Sequence, residues 1–215
     1  MTLAELSSAF SDLGLPAFRA QQVWQWLQEK GVMSFDLMTN LSKDLREKLK
    51  NEFDIYGCDI EKKSVSQLDS TVKYLFRLID GEFIESVLMK YKYGYSLCVS
   101  TQVGCRMNCA FCATGVGGFV RNLTASEILS QIHAAQNDMN VRVSHIVLMG
   151  IGGPLGNYDN VLRFLELVNH ADGLNIGMRH ISLSTCGIIP GIKKLQQEDL
   201  QLTLSVSLHA PNDEI

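Results

Sequence analysis

Residues 104–115 read Gly-Cys-Arg-Met-Asn-Cys-Ala-Phe-Cys-Ala-Thr-Gly, which puts the thiols of Cys105, Cys109 and Cys112 on one short segment. Soft sulfur donors at this spacing suit zinc or an iron–sulfur cluster. A structural zinc site wants a fourth ligand nearby, and the next histidine, His133, falls inside an amphipathic helical pattern where it reads as a core or surface residue. A four-iron cubane held by three cysteines leaves one iron free for a reactant, as a catalytic zinc keeps an open position. Three thiols without a fourth ligand suggest chemistry at an open fourth site, with a zinc-stabilised RNA-binding module as the non-enzymatic alternative.

Such a loop needs a scaffold. Residues 1–53 carry helical periodicity: Thr2-Leu-Ala-Glu5 is a capping box ahead of Leu6 and Phe10, a second segment spans Phe18 to Lys30, and a third follows Ser42. This predicts a small helical accessory domain. Its two tryptophans read as core residues, and the run from Lys43 to Lys50, interleaved with Asp44 and Glu47, reads as a solvated face that could touch RNA. Residues 54–94 form a linker and a β-hairpin, Val72 to Ile79 and Phe83 to Met89, turning on Asp80-Gly81.

From residue 95 to 215 strands and helices alternate. Tyr95–Ser100, His145–Met149, His180–Ser184 and Leu202–Leu208 read as strands, with helices after Thr124, from Tyr158 and from Pro190. Repeated strand-then-helix units predict an α/β fold with a parallel sheet, a partial (βα) barrel of about four units. In such folds ligands collect at the C-terminal ends of the strands. The cysteine segment, Gly150-Ile-Gly-Gly-Pro154, Ser184-Thr-Cys-Gly187 and Ser207-Leu-His209 all fall there.

Bulk properties narrow the setting. The 215 residues are 46% hydrophobic and 20% charged with a net charge of −4, so bulk charge does not announce a nucleic-acid partner, although Lys90 and Lys92 are locally basic. No apolar run reaches membrane-spanning length, and Met-Thr-Leu-Ala-Glu lacks the pattern of a signal peptide. Six cysteines, three clustered and three dispersed, do not read as a disulfide framework. A cytoplasmic protein is expected.

The spacing Cys105-x-x-x-Cys109-x-x-Cys112, with Phe111 before the last cysteine, resembles the signature of the radical S-adenosylmethionine (SAM) superfamily. Phe18-Arg-Ala-Gln-Gln-Val-Trp-Gln-Trp26, Met38–Lys43, Ile84–Met89, Cys98–Cys105 and Ser207–Asp213 narrow this to the RlmN/Cfr family of RNA adenine methyltransferases, over essentially the whole chain. Asn157–Val161 and His209–Asp213 favour the branch that methylates adenine C2 of 23S rRNA and tRNA over the Cfr-type branch that methylates C8.

The resemblance implies a [4Fe-4S] cluster on Cys105, Cys109 and Cys112, with SAM on the open iron and cleaved to a 5′-deoxyadenosyl radical. A methyl group parked on one cysteine is then transferred to the ring, and a second cysteine resolves the protein–RNA adduct. Cys98 matches the resolving position and Glu85 the proton acceptor, whereas alone they read as a small buried strand residue and a solvated hairpin carboxylate. By strand alternation Glu85 shares a face with Phe83, Val87 and Met89, an apolar setting suited to proton transfer. Gly152, Gly153, Ser184, Ser207, Leu208 and His209 match SAM-binding positions. An electron donor such as a flavodoxin or ferredoxin and a monomeric state are also implied.

Two departures stand out. The family pattern Gly-x-Gly-Glu-Pro reads Gly150-Ile-Gly-Gly153-Pro154 here, so a carboxylate that would accept from SAM is replaced by glycine. A lost charge-assisted hydrogen bond costs about 1.5–3 kcal/mol, which weakens SAM binding without necessarily abolishing it. The family pattern also continues past Ile215, and none of the six cysteines matches its methyl-carrying position. The expectation is a C-terminally truncated chain that binds a cluster but does not methylate RNA.

Overall fold

The computed structural model describes residues 1–210, 212 and 214; Pro211 and Asp213 of the His209–Asp213 stretch lie outside the described residues. Helices α1 (Leu3–Asp12), α2 (Ala17–Gln28) and α3 (Lys43–Glu52) open the chain. The α1 capping box forms: the Glu5 N–H donates to the Thr2 hydroxyl and the Thr2 N–H to the Glu5 carboxylate. Ser42 caps α3 through the Leu45 N–H. Trp24 is buried with Leu6, Phe10, Val23 and Leu49, so it is a core residue. Three of the four cations of the basic run of α3 are engaged by the protein itself. Lys50 pairs with Asp36 and Glu47, and Lys48 and Arg46 donate to the Leu13 and Asp36 carbonyls.

The main sheet contains β1 (Cys58–Val65), β2 (Val72–Leu78), β3 (Phe83–Tyr91) and β4 (Gly94–Cys98), antiparallel in sequence order. After β4 the chain makes a short pair, β5 (Gln102–Gly104) with β6 (Phe119–Asn122), around the one-turn helix α4 (Ala113–Val116). It then alternates: α5 (Ala125–Met139), β7 (Val143–Leu148), α6 (Tyr158–Asn169), β8 (Ile181–Thr185), α7 (Ile189–Leu195) and β9 (Thr203–Val206). Strands β4, β7, β8 and β9 are parallel neighbours in that order, the arrangement of consecutive barrel units. No helix among the described residues is long and apolar enough to cross a membrane.

The two faces of this sheet differ. Ile84, Leu88, Leu97, Val99, Ile146, Leu148, Ile181 and Leu183 are buried in one apolar cluster with residues of α5, α6 and α7. Their alternating neighbours Glu85, Val87, Cys98, Val147, Ser182 and Ser184 are half-buried on the other face, which those helices do not cover. Sheet alternation thus sorts the apolar side chains from the candidate site residues.

Two sequence expectations need correction. The β2–β3 turn has three residues rather than two. Leu78 donates to the Glu82 carbonyl, and Gly81, at φ +87°, takes the left-handed position that closes such a turn. The two-residue turn belongs to the next hairpin, Lys92-Tyr93 between the paired Tyr91 and Gly94. Strand β1 was not expected at all: apart from Cys58 its side chains are exposed, so it lacks the alternation that marks a half-buried strand.

Candidate functional site

The cysteine segment is framed by β5 and β6. The Cys105 N–H donates to the Gly118 carbonyl at 2.8 Å. Gly104 sits at φ +70°, where an added Cβ would fall 2.0 Å from that same oxygen, so only glycine allows the two backbones to approach. The frame is tied down by Arg121 of β6, whose guanidinium pairs with Asp80 in the β2–β3 turn at 2.6 Å and with Glu127 of α5 at 2.8 Å.

Cys105, Cys109 and Cys112 are free thiols, each half-buried. The Thr114 backbone N–H and hydroxyl hold the Cys112 thiol below the ordinary cysteine range, with the Gly115 N–H adding to this. Thiolate is the form that ligates metal, so the donor set fits an iron–sulfur cluster. Among the described residues, no three His, Cys, Asp or Glu side chains converge on one metal-ion position.

The loop after β7 is fastened to the strand entering the cysteine segment. Gly150 donates to the Val99 carbonyl at 3.0 Å, Ile151 to the Ser100 hydroxyl at 2.9 Å, and Gly153 to the Gln102 side-chain carbonyl at 2.9 Å. Gln102 also donates to Asn122 on β6 at 2.8 Å, linking both sides. An added Cβ at Gly152, φ +95°, would lie 2.5 Å from the Gln102 Cβ, whereas at Gly153 it would meet only Ile188 at 3.8 Å. Gly152 is therefore demanded by the backbone and Gly153 is not.

At the ends of β8 and β9 the Ser184 and Ser207 hydroxyls come within 3.5 Å, and the Ser207 N–H donates to the Thr185 carbonyl. Leu208 is exposed, and the His209 ring rests on Phe111 of the cysteine segment with centroids 4.6 Å apart. The structure thus joins the cysteine loop to the β9 end.

Cys98 lies on the uncovered face of β4, directly opposite Val87 of β3. Glu85, two residues along, is its diagonal neighbour, roughly 7 Å away for such pairs. Burial pushes the Cys98 thiol up, against a hydrogen bond with the Met149 backbone. The apolar setting expected for Glu85 is corrected: Lys73, opposite Val87 on the same face, pairs with its carboxylate at 2.7 Å. Alternation placed Glu85 on the right face but could not show what the neighbouring strand brings to it.

Sequence reasoning passed over the residues that hold this edge together. Buried Gln131 of α5 accepts from the Ser86 hydroxyl and the Ser100 N–H and donates to the Ser100 carbonyl. Asn157 donates to the Thr101 and Leu123 carbonyls. The available signal for Gln131 was a polar residue between Ile128 and Ile132 on an otherwise apolar helix face.

Comparison with known proteins places this fold and its cysteine loop in a family. Residues 99–215 match the radical SAM superfamily model, and the chain belongs to that superfamily. Residues 1–55 match the ribosomal RNA large subunit methyltransferase N-terminal domain, RlmN_N. The whole chain is 55% identical to the probable dual-specificity RNA methyltransferase RlmN of Clostridium novyi, covering 62% of that protein. It is 51% identical to the protein of that name from Symbiobacterium thermophilum, covering 58% of it. The crystal structure of a radical SAM methyltransferase from Sphaerobacter thermophilus superposes on all of the chain with a TM-score of 0.92 at 38% identity, the chain covering 64% of it. The chain thus spans about three fifths of the length of these relatives.

Proposed function

We propose that this chain carries the cluster-binding part of an RNA adenine-C2 methyltransferase acting on 23S rRNA and tRNA. The observation that carries the proposal is the placement of Cys98 and Glu85 as diagonal neighbours on the sheet face whose strand ends bear the cysteine loop, Ser184 and Ser207. Cys105, Cys109 and Cys112 would hold a [4Fe-4S] cluster, and Gly152, Gly153, Ser184, Ser207, Leu208 and His209 would line the place for SAM. Bound there, the pair supplies one-electron chemistry able to act on a carbon that is not nucleophilic.

The chain's own residues do the rest. Gly152 lets the loop after β7 pack against Gln102, while the paired serine hydroxyls offer hydrogen bonds to the polar parts of a ligand. Cys98, whose thiol burial pushes up, is a resolving thiol that needs a base before it can attack. Glu85 takes the adenine proton once Lys73 releases it. The methyl-carrying cysteine is assigned to the portion of the relatives that this chain does not span. An electron donor such as a flavodoxin or ferredoxin, a monomeric state and a cytoplasmic setting complete the proposal.

Joining this chain to the C-terminal portion of the Clostridium novyi relative, with glutamate restored at position 153, gives the test. Nucleoside mass spectrometry of treated 23S rRNA should show 2-methyladenosine. Methylation at C8, or none despite a loaded cluster, would overturn the proposal.

A further inference from the structure

The sheet edge opposite the cysteine loop holds a second concentration of groups that the proposed chemistry leaves unused. The β3–β4 turn, the start of β7 and the segment entering β8 meet there. Four rings follow one another: Tyr91 stacks on Tyr93 with centroids 5.0 Å apart and planes 9° from parallel, Tyr93 meets His145 at 4.6 Å, and His145 meets His180 at 4.6 Å. The last two share a hydrogen bond of 2.9 Å. Tyr93 is 62% exposed at a two-residue turn where Asn or Gly is the usual occupant, so neither turn geometry nor core packing accounts for it.

Basic side chains predominate around the ladder. Lys90, Lys92, Arg142 and Arg179 are exposed on the same three segments, and residues 83–96, apart from Glu85 on the open face, 139–149 and 173–185 contain no aspartate or glutamate. Asp199, beside Arg179 and His180, and Glu29 and Asp172, beside Arg142, are acids that border the patch. In a chain of net charge −4 this is a local reversal of sign. Lysine and arginine around exposed aromatic faces are the groups that hold single-stranded nucleic acid: phosphates on the cations, bases on the rings.

We propose that this edge is an RNA-contacting surface, engaging unpaired nucleotides of the substrate at a distance from the cysteine loop. The assignment rests on the RNA-substrate proposal above and adds a location to it. An acidic electron-donor protein fits the charge but not the place, since it must deliver electrons to the cysteine loop at the other edge and has no use for stacked rings.

Fluorescence anisotropy with a labelled, unstructured RNA of roughly twelve nucleotides, a length spanning typical single-strand sites, tests the assignment on the intact chain. Tyr93→Ala should weaken binding at least about 5-fold, as expected for the loss of one stacked base, while Tyr93→Phe retains it. The pair Lys90→Ala and Lys92→Ala should lower the slope of log affinity against log salt by about 1.4. Lys48→Ala, on the helical domain, should change neither. Circular dichroism confirms that each variant is folded. RNA binding by the parent chain that survives Tyr93→Ala unchanged overturns this surface alone. No RNA binding by the parent overturns the substrate proposal with it. Competition by polyglutamate as strong as by RNA, insensitive to Tyr93→Ala, assigns the edge to an acidic protein and also overturns the proposal.

Discussion

Gln102 accepts the Gly153 N–H through its side-chain carbonyl, so the loop after β7 is pinned to the strand that enters the cysteine segment. Because an added Cβ at position 153 meets only Ile188 at 3.8 Å and φ there is −109°, the missing family glutamate can be restored without strain. Gly153→Glu should tighten SAM binding about 10- to 150-fold in equilibrium dialysis of the anaerobically reconstituted chain. Gly152→Ala, at φ +95° and against Gln102, should lower the melting temperature instead. Equal effects of the two substitutions would contradict this distinction.

Arg121 joins the β2–β3 turn to the start of α5 through Asp80 and Glu127. Arg121→Leu leaves buried Glu127 without its counter-ion and should cost about 3 kcal/mol in urea unfolding at pH 7. The pH dependence has a definite sign. The hydrogen bond to Arg121 holds Asp80 low; burial would raise Glu127, but Arg121 and the Thr124 N–H overcome it and hold it low too. Their contribution is present above the ordinary carboxylate range and lost as pH falls through the depressed values, so the gap between parent and variant should shrink below about pH 4.

Thiol reactivity separates the buried cysteines. Burial pushes Cys58 up to about 12, with Ser130 donating to its sulfur at 3.2 Å, and raises Cys98 to a lesser extent. In the folded, cluster-free chain, iodoacetamide should modify Cys98 slowly at pH 7 and faster as pH rises past 9, while Cys58 stays unmodified across that range. Peptide mass spectrometry reads the order, and early labelling of Cys58 would contradict it.

Gln131 fastens β3 to the end of β4 from beneath the sheet, with all its side-chain hydrogen bonds buried. Gln131→Leu leaves the Ser86 hydroxyl and both backbone groups of Ser100 unpaired, and should destabilise the chain by about 2–4 kcal/mol. A change within 0.5 kcal/mol, the range typical of surface sites, would show that the network relaxes instead.

Much of this architecture was legible because local chemistry and global fold agree. The Thr2 capping box forms, a helix starts directly after Thr124, and the four parallel strands fall where apolar runs of strand length follow turn residues. Strand β1 was hidden because its exposed side chains do not alternate, and β5 and β6 because strands of three and four residues give too short a pattern to count. At the site, sequence spacing marked the cysteines. It could not reveal that Lys73 reaches Glu85, or that Gln102 joins Gly153 to Asn122, because those contacts depend on strand register and on loops distant in sequence.

The central claim is that Cys105, Cys109 and Cys112 hold a cluster rather than a single ion. Anaerobic reconstitution with iron and sulfide, followed by metal and acid-labile sulfide analysis, tests it most directly. The account predicts about four irons and four sulfides per chain, lost on Cys109→Ala. One zinc per chain with no sulfide would contradict it.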